Sequence, residues 1–425
     1  MKQISFPAPP ELFASLEDAW AQISGLLFCE RTNLIYDYLG SLGEDRFDFL
    51  PFPEEIEHDF PNPRGYATGM EDSALNGGIM IPAALLRARL FPETEEECRT
   101  FAAKLLRGLE LCATVHGREG YVVRSVSHRN GTSCYSCSSR DQLTFWVWGM
   151  WHYFRSAAAT APERERIRSL VVKLAARGER EVVPENQYSY LTLGGVPDPL
   201  LQMDDVLPHE ILRLPMFHLA AWALSGDAHW RACYDRLIDR ALRRAAEPKE
   251  DWNHFELSQF LLTLALCHEL DPRPEFSAIA RVIGDVAEEM LCSTFLPELE
   301  RWSGTWSIPA TAWRDSTALR LVHRSDGGVV AHGRIDLRCG QTPGFHDLFN
   351  LVRIPGNLMT GLLLAPGRPV DEAVIRRFLK AFCRPDYRRS CSCSSVNVLY
   401  AALLGLDRLD GTGGTAERTD LPQRQ

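Results

Sequence analysis

The chain has 425 residues, several times the ~100–150 of an average domain, so it forms either two domains or one large closed architecture. Apolar residues at 45% and charged residues at 24% match an ordinary globular protein. The net charge of −10 argues against a general nucleic-acid binder, which needs a basic surface for phosphates.

The opening stretch, MKQISFPAPPELFASLEDAW, lacks the apolar run of a signal peptide, and no later stretch approaches the ~18–20 apolar residues of a membrane span. Cys29, Cys112, Cys267 and Cys292 sit inside apolar helical runs, as thiols in a reducing compartment do. A cytoplasmic location is therefore expected, with an exported form whose signal has been removed as the alternative.

Helical periodicity then runs along the chain. Apolar residues recur at steps of three and four over 11–30, 72–90, 95–115, 141–158, 163–176, 209–224, 228–245 and 255–270. The ranges 279–291, 347–364, 371–382 and 396–404 continue the pattern, for about a dozen helices. Strand candidates are few: 121–127 (YVVRSVS), 328–332 and, ambiguously, the tryptophan-rich 299–309. Two long polar connections, 48–69 and 117–140, interrupt the helices, and loops of that length are often functional. No linker divides the chain. The expectation is an all-α fold, with residues 1–410 forming one (α/α)6 toroid of six helical hairpins and a disordered polar tail at 411–425. Ranges 73–90 and 141–154 are apolar nearly all round, as inner helices of such a ring must be. A solenoid would show a repeat of fixed period, and none is visible.

Two motifs carry candidate chemistry. In GMEDSALNGG (69–78), Glu71 and Asp72 stand at a helix entry, with Asn76 one turn on. Gly77 and Gly78 cost roughly 1 kcal/mol each inside a helix and permit close approach by a backbone or a ligand. The second motif is SSRDQ (138–142), where a serine caps the helix and Asp141 occupies its first turn. From Asp141 the stripe reaches Phe145, Trp148 and His152. A carboxylate thus leads a wall of rings, with Arg140 and Gln142 beside it. Sugars take such sites, stacking on rings and hydrogen-bonding to polar groups. A capping acid in front of an aromatic core would read the same. Together, the motifs put two carboxyl groups at the ends of two apolar helices, the minimum apparatus for glycosidic cleavage.

GMEDSALNGG followed by SSRDQ and an aromatic helix resembles the six-hairpin glycosidases, and among them glycoside hydrolase family 154, over roughly residues 64–154. The resemblance implies an (α/α)6 toroid, exo-cleavage of a terminal β-glucuronide and acidic catalytic residues. Carried over by position, these are Asp141 with Asp72 or Glu71. A related activity is hydration of the 4,5-unsaturated uronides that polysaccharide lyases leave.

Substrate-binding candidates are Arg140, Gln142, Asn76, Trp148 and His152, with Arg64, His128 and Arg129 from the two long connections. Trp252 and His254 flank a helix start that Asn253 could equally cap; His346–Asp347, Trp302, Trp306 and Trp313 are weaker candidates. Two other readings stay open. A sugar epimerase would rely on His152, His218 and His254 as proton shuttles, and a saccharide-binding protein would need no catalysis. The expected partner is an oligosaccharide or glucuronide, with no nucleic acid and no membrane; a homo-oligomer stays open. No cofactor and no catalytic metal are expected. Cys134–Cys137 (CxxC) and Cys391–Cys393 (CxC) could bind zinc, form a redox contact or remain plain thiols. Desolvation by the aromatic helix is expected to raise the pKa of Asp141, leaving Asp72 or Glu71 ionised.

Overall fold

Helices make up most of the chain. The structure is a computed structural model that describes residues 9–302, 321–323, 329–331 and 345–411. The first helices are α1 (Leu12–Ala21), α2 (Pro53–Glu57), α3 (Ser73–Leu90), α4 (Glu95–Thr114) and α5 (Arg140–Arg155). Then come α6 (Ala161–Glu181), α7 (Arg213–Ser225), α8 (Ala228–Ala245), α9 (His254–Leu270) and α10 (Pro274–Met290). The last are α11 (Leu296–Arg301), α12 (Phe345–Leu364), α13 (Glu372–Phe382) and α14 (Ser394–Leu409). Sheet structure among the described residues is confined to three antiparallel pairs: β1 (Phe28–Cys29) with β2 (Leu34–Ile35), β3 (Ser189–Leu191) with β4 (Pro197–Gln202), and β5 (Leu321–His323) with β6 (Val329–Ala331). The fold is all-α. No helix among the described residues is long and apolar enough to cross a membrane.

Six helices form a closed circuit of contacts. In order, α3 touches α5, then α7, α9, α12 and α14 follow, and α14 returns to α3. Further helices pack on this circuit: α4 on α3, α6 and α8 on α7, α10 on α9, and α13 and α1 on α14. The sequence explains the division. In α8 the buried residues follow one stripe, Trp230, Cys233, Tyr234, Ile238, Ala241 and Leu242, and the opposite face is polar. In α3 nearly every residue is buried, so neighbours must cover it on all sides.

Helices α3 and α5 run side by side in the same direction. Gln142 meets Asp72 and Leu75 at their starts, and Gly78 meets Phe145 and Gly149 further along. A Cβ on Gly78 would lie 2.1 Å from the Phe145 carbonyl oxygen, and one on Gly149 would lie 2.7 Å from the Gly78 Cα. What approaches Gly78 is therefore another backbone.

Two expectations need correction. Residues 121–127 are not a strand. Their backbone groups bond to helix ends and a nearby turn: Val123 N–H to the Cys112 carbonyl, the Arg124 carbonyl from Ala74 N–H, and Ser127 N–H to the Ser133 carbonyl. With its hydrogen bonds spent that way, the segment has no ladder to join. The first helix is also shorter than 11–30. It passes into a wide turn at Gln22–Leu27 and ends in β1. Trp302 is half-buried after α11. Trp306, Trp313, the side chains of His346 and Asp347, and residues 412–425 lie outside the described residues.

Gly78→Ala should destabilise the protein by about 3 kcal/mol or more, because backbone, not a flexible side chain, blocks the added methyl group. Gly25, with nothing within 4 Å of its Cβ position, is the control, and its Ala variant should be near neutral. Urea unfolding of both variants checks this; equal midpoints would refute the backbone contact.

Candidate active site

The two long connections pack on each other beneath the starts of α3 and α5. Cys137 N–H donates to the Pro63 carbonyl, the Tyr135 hydroxyl to the Phe60 carbonyl, and the Ser136 hydroxyl to Asp59 at 2.6 Å. They bring Arg124 between the two helices.

The start of α3 is held by residues remote in sequence. Asp37 accepts from the backbone N–H groups of Glu71 and Asp72, both at 2.7 Å, and from the Asn76 amide at 2.8 Å. Ala74 N–H donates to the Arg124 carbonyl and Leu75 N–H to Gln142. The N–H groups of Glu71, Asp72, Ala74 and Leu75 are thus satisfied without a side-chain cap from Asp72. Asp72 accepts from Arg124 (2.9 Å), Arg353 (3.0 Å) and Gln142 (2.8 Å).

Three buried carboxyl groups, Asp37, Glu71 and Asp72, therefore share two guanidinium groups, Arg124 and Arg353. Burying a net negative charge is costly, so the cluster retains a proton. Burial, then the charge of Asp72, pushes Glu71 up to about 7. Burial and the charges of Asp72 and Glu71 also raise Asp37 well above the ordinary carboxylate value.

Asp141 lies at the start of α5. It accepts from the Ser139 hydroxyl and from Gln142 N–H at 3.0 Å. Ser139 in turn accepts from Arg124, which also holds Asp72. One serine and one arginine so link the two predicted carboxylates, and three hydrogen bonds and a guanidinium span at most about 10 Å. The expected ionisation of Asp141 is overturned. Burial does act to raise its pKa, but Arg124, Ser139, Arg213 and the Gln142 N–H outweigh burial and hold it below the ordinary value. The helix start supplies charge and donors faster than the rings remove water.

Asp141 opens onto a cavity of about 370 Å³ between the starts of α5, α7 and α9. Arg140, predicted from the sequence, also lines it, but its guanidinium is spent on Glu210 (2.8 Å) and on the carbonyls of Pro199 and Gln202. His254 lines it too. Burial, then Arg353, pushes His254 down to about 3, so its ring is neutral. Asn253 caps α9 through Phe255 and Glu256 N–H, as its position before the helix allowed.

Tyr66, His209, Glu210 and Arg213 are among the lining residues that had no part in the sequence reading. His209, Glu210 and Arg213 precede an apolar helix in PHEILRLPMFHL, which offers the same acid-before-helix signal as Asp72 and Asp141. Arg213 donates to Gln259 at 2.6 Å, and its Nε has no partner. Burial pushes it down to about 10, against the pull of Glu210. Burial likewise lowers His209 to about 3. Tyr66 is raised above the ordinary phenol value by burial, although Arg124, 4.9 Å from its ring, opposes this.

The other predicted residues lie elsewhere. Gln142 and Asn76 are fully buried and position carboxylates. Trp148 is core, with His152 packed on it at 4.2 Å, so the aromatic stripe is a packing face and not a sugar platform. Arg64 pairs with Asp198. Arg129 lies over the Phe52 ring at 4.2 Å, and His128 packs on Phe47. Trp252 lines a separate apolar groove with Lys249 over its face. Of the three histidines an epimerase would use, only His254 lines the cavity; His218 lies against Trp230. All eleven described cysteines are free, and the CxxC and CxC pairs do not meet in a metal-binding group among the described residues. Cys393 instead donates to Asp37.

No protein-family model matches the chain, and no curated protein is significantly similar to it.

The raised pKa of Glu71 has a stability consequence with a definite sign. Between its unfolded value and about 7 the folded state holds more protons than the unfolded one, so this group makes stability fall as pH rises. The limiting slope is about 1.4 kcal/mol per pH unit. Glu71→Gln should flatten the stability profile from pH 5 to pH 7, as measured by chemical denaturation across pH. An unchanged slope would remove Glu71 as the proton carrier.

Proposed function

We propose that the chain is a glycoside hydrolase of the (α/α)6 toroid type, acting on the non-reducing end of a uronic-acid-containing saccharide. The closed circuit of six helices supports the toroid. The observation that carries the reading is an ionised carboxylate, Asp141, on the wall of a cavity that also presents the Arg213 guanidinium. A uronic acid offers a carboxylate for the arginine and a glycosidic bond for the acid–base groups.

Under this reading Asp141 is the base. It takes a proton from the attacking water, and the leaving oxygen receives one from Tyr66, whose phenol keeps its proton in the cavity. Asp72 and Glu71 do not line the cavity. They act behind it: Asp72 fixes Arg124, and Arg124 and Ser139 fix Asp141. Arg213, more than Arg140, is free to meet the substrate carboxylate, because the Arg140 donors are already spent.

One observation favours a second reading. A phenol and a guanidinium in one cavity also suit β-elimination from a uronide. There the guanidinium holds the charge that develops when a base removes the C5 proton, and the phenol protonates the leaving oxygen. Product analysis separates the two: hydrolysis adds water and gives a saturated uronic acid, whereas elimination gives a conjugated product that absorbs in the ultraviolet.

Asp141→Asn should leave the circular dichroism and glucuronide affinity unchanged and lower kcat by ~10²–10⁴. Arg213→Lys should raise KM for an aryl glucuronide about tenfold more than for the matching glucoside, since lysine cannot replace a planar two-pronged contact. Steady-state kinetics on the paired substrates checks both. Equal losses on glucuronide and glucoside would reject the carboxylate pocket, and an active Asp141→Asn would reject the base.

A further inference from the structure

A second polar cluster lies away from the cavity, where α6, α7 and α8 meet. Glu179 comes from the end of α6, and His229 and Cys233 stand one turn apart on α8. Their ligand atoms lie within 4.8 Å of one another. Cys233 Sγ is 3.4 Å from Glu179 Oε1 and 3.5 Å from His229 Nε2, and His229 Nε2 is 2.8 Å from Glu179 Oε2. A tetrahedral zinc ion, with bonds of about 2.3 Å to sulfur and about 2.1 Å to nitrogen or oxygen, holds its ligand atoms about 3.4–3.6 Å apart. Both sulfur separations already match. The shorter nitrogen–oxygen contact is a hydrogen bond that metal binding would open.

His218, on α7, is buried behind this cluster with its ring against the Cys233 backbone, and it is not among the three residues whose ligand atoms converge. Three protein ligands leave the fourth tetrahedral position to water.

We propose that Glu179, His229 and Cys233 form a divalent-metal site of zinc type that ties α6 to α8. The donor set selects the ion. One thiolate, one imidazole and one carboxylate suit zinc, whereas magnesium and calcium take oxygen donors. The Cys233 thiol must lose its proton to solvent on binding, so affinity rises with pH. Arg236 stands over the cluster, 3.0 Å from Cys233 Sγ and 3.4 Å from Glu179. Its side chain is 61% exposed and has room to swing away when a cation arrives. In the metal-free protein it supplies the positive charge that the ion would bring.

Cobalt(II) titration of the full, reduced, chelator-treated chain tests the site without any activity measurement. One equivalent should bind, with thiolate-to-metal charge-transfer absorption and the strong visible bands of tetrahedral cobalt, and zinc should displace it. Cys233→Ser should abolish the charge-transfer band. His229→Ala and Glu179→Gln should each weaken binding by at least about tenfold, whereas Arg236→Ala should tighten it. Zinc should raise the melting temperature of the wild type and not that of His229→Ala, whose exposed side chain is no part of the core. The site is overturned if cobalt gives no thiolate band, if the band survives Cys233→Ser, or if His229→Ala binds as tightly as wild type.

Discussion

The Arg124 guanidinium is the contact on which the candidate site depends. It is almost wholly buried and donates to the Glu71 carbonyl, to Asp72 and to Ser139. It therefore joins the starts of two parallel helices and sets the charge of Asp141 through space and through Ser139. Removing one partner of a buried pair strands the other charge, at a cost of about 3–5 kcal/mol. Here it would also unfasten Asp141 from its neighbours. Asp72 is then better understood as the anchor of Arg124 than as a second reacting acid. The close approach of Gly78 to Phe145 and Gly149 makes the anchoring effective, because two helices in backbone contact cannot shift without breaking that fit.

Much of the fold was legible because helix periodicity is a local property. The all-α class and nearly every helix follow from apolar residues at steps of three and four, and the apolar circumference of 73–90 matches its burial. The site was legible only in part. The acid-before-helix signal found Asp72 and Asp141, and it was also present in PHEILRL, where His209, Glu210 and Arg213 went unread. Asp37 gave less warning, as a single acid in the apolar run NLIYDYLG; nothing local says that it will hold a helix start 34 residues on. The aromatic stripe misled for a physical reason. Trp148 and its neighbours alternate around α5 so that other helices cover them, and spacing alone does not say whether a ring meets a sugar or a helix. The ionisation of Asp141 failed for another reason. The rings act through bulk desolvation, while Arg124 comes from a loop 17 residues earlier and acts directly.

The separation of ionisation states within this small region is a matter of counting charges. Asp37, Glu71 and Asp72 meet two guanidinium groups, and the surplus carboxyl holds a proton. Asp141, a short distance away, has Arg124 and Arg213 on it and stays charged. Two carboxyl environments pushed in opposite directions are the arrangement acid–base chemistry uses. Here only the charged one lines the cavity, so the buried proton serves the framework, and under the proposed reading the proton donor in the cavity is Tyr66.

The charge of the whole chain bears on the proposed substrate. A net charge of −10 repels a long polyanion, and that repulsion reaches about 8 Å from the surface at physiological ionic strength. The arginines facing the cavity act over a shorter range, and Glu210 and Asp141 beside them offset part of their charge. A polymer of uronic acids lying across the surface would lose more to the outer field than a single buried guanidinium returns. One terminal uronic acid entering a cavity of about 370 Å³ loses little, because the rest of a short or neutral aglycone carries no charge to the surface. Under the proposed reading, the net charge and a cavity of this size suit a small terminal uronide better than a long anionic polymer.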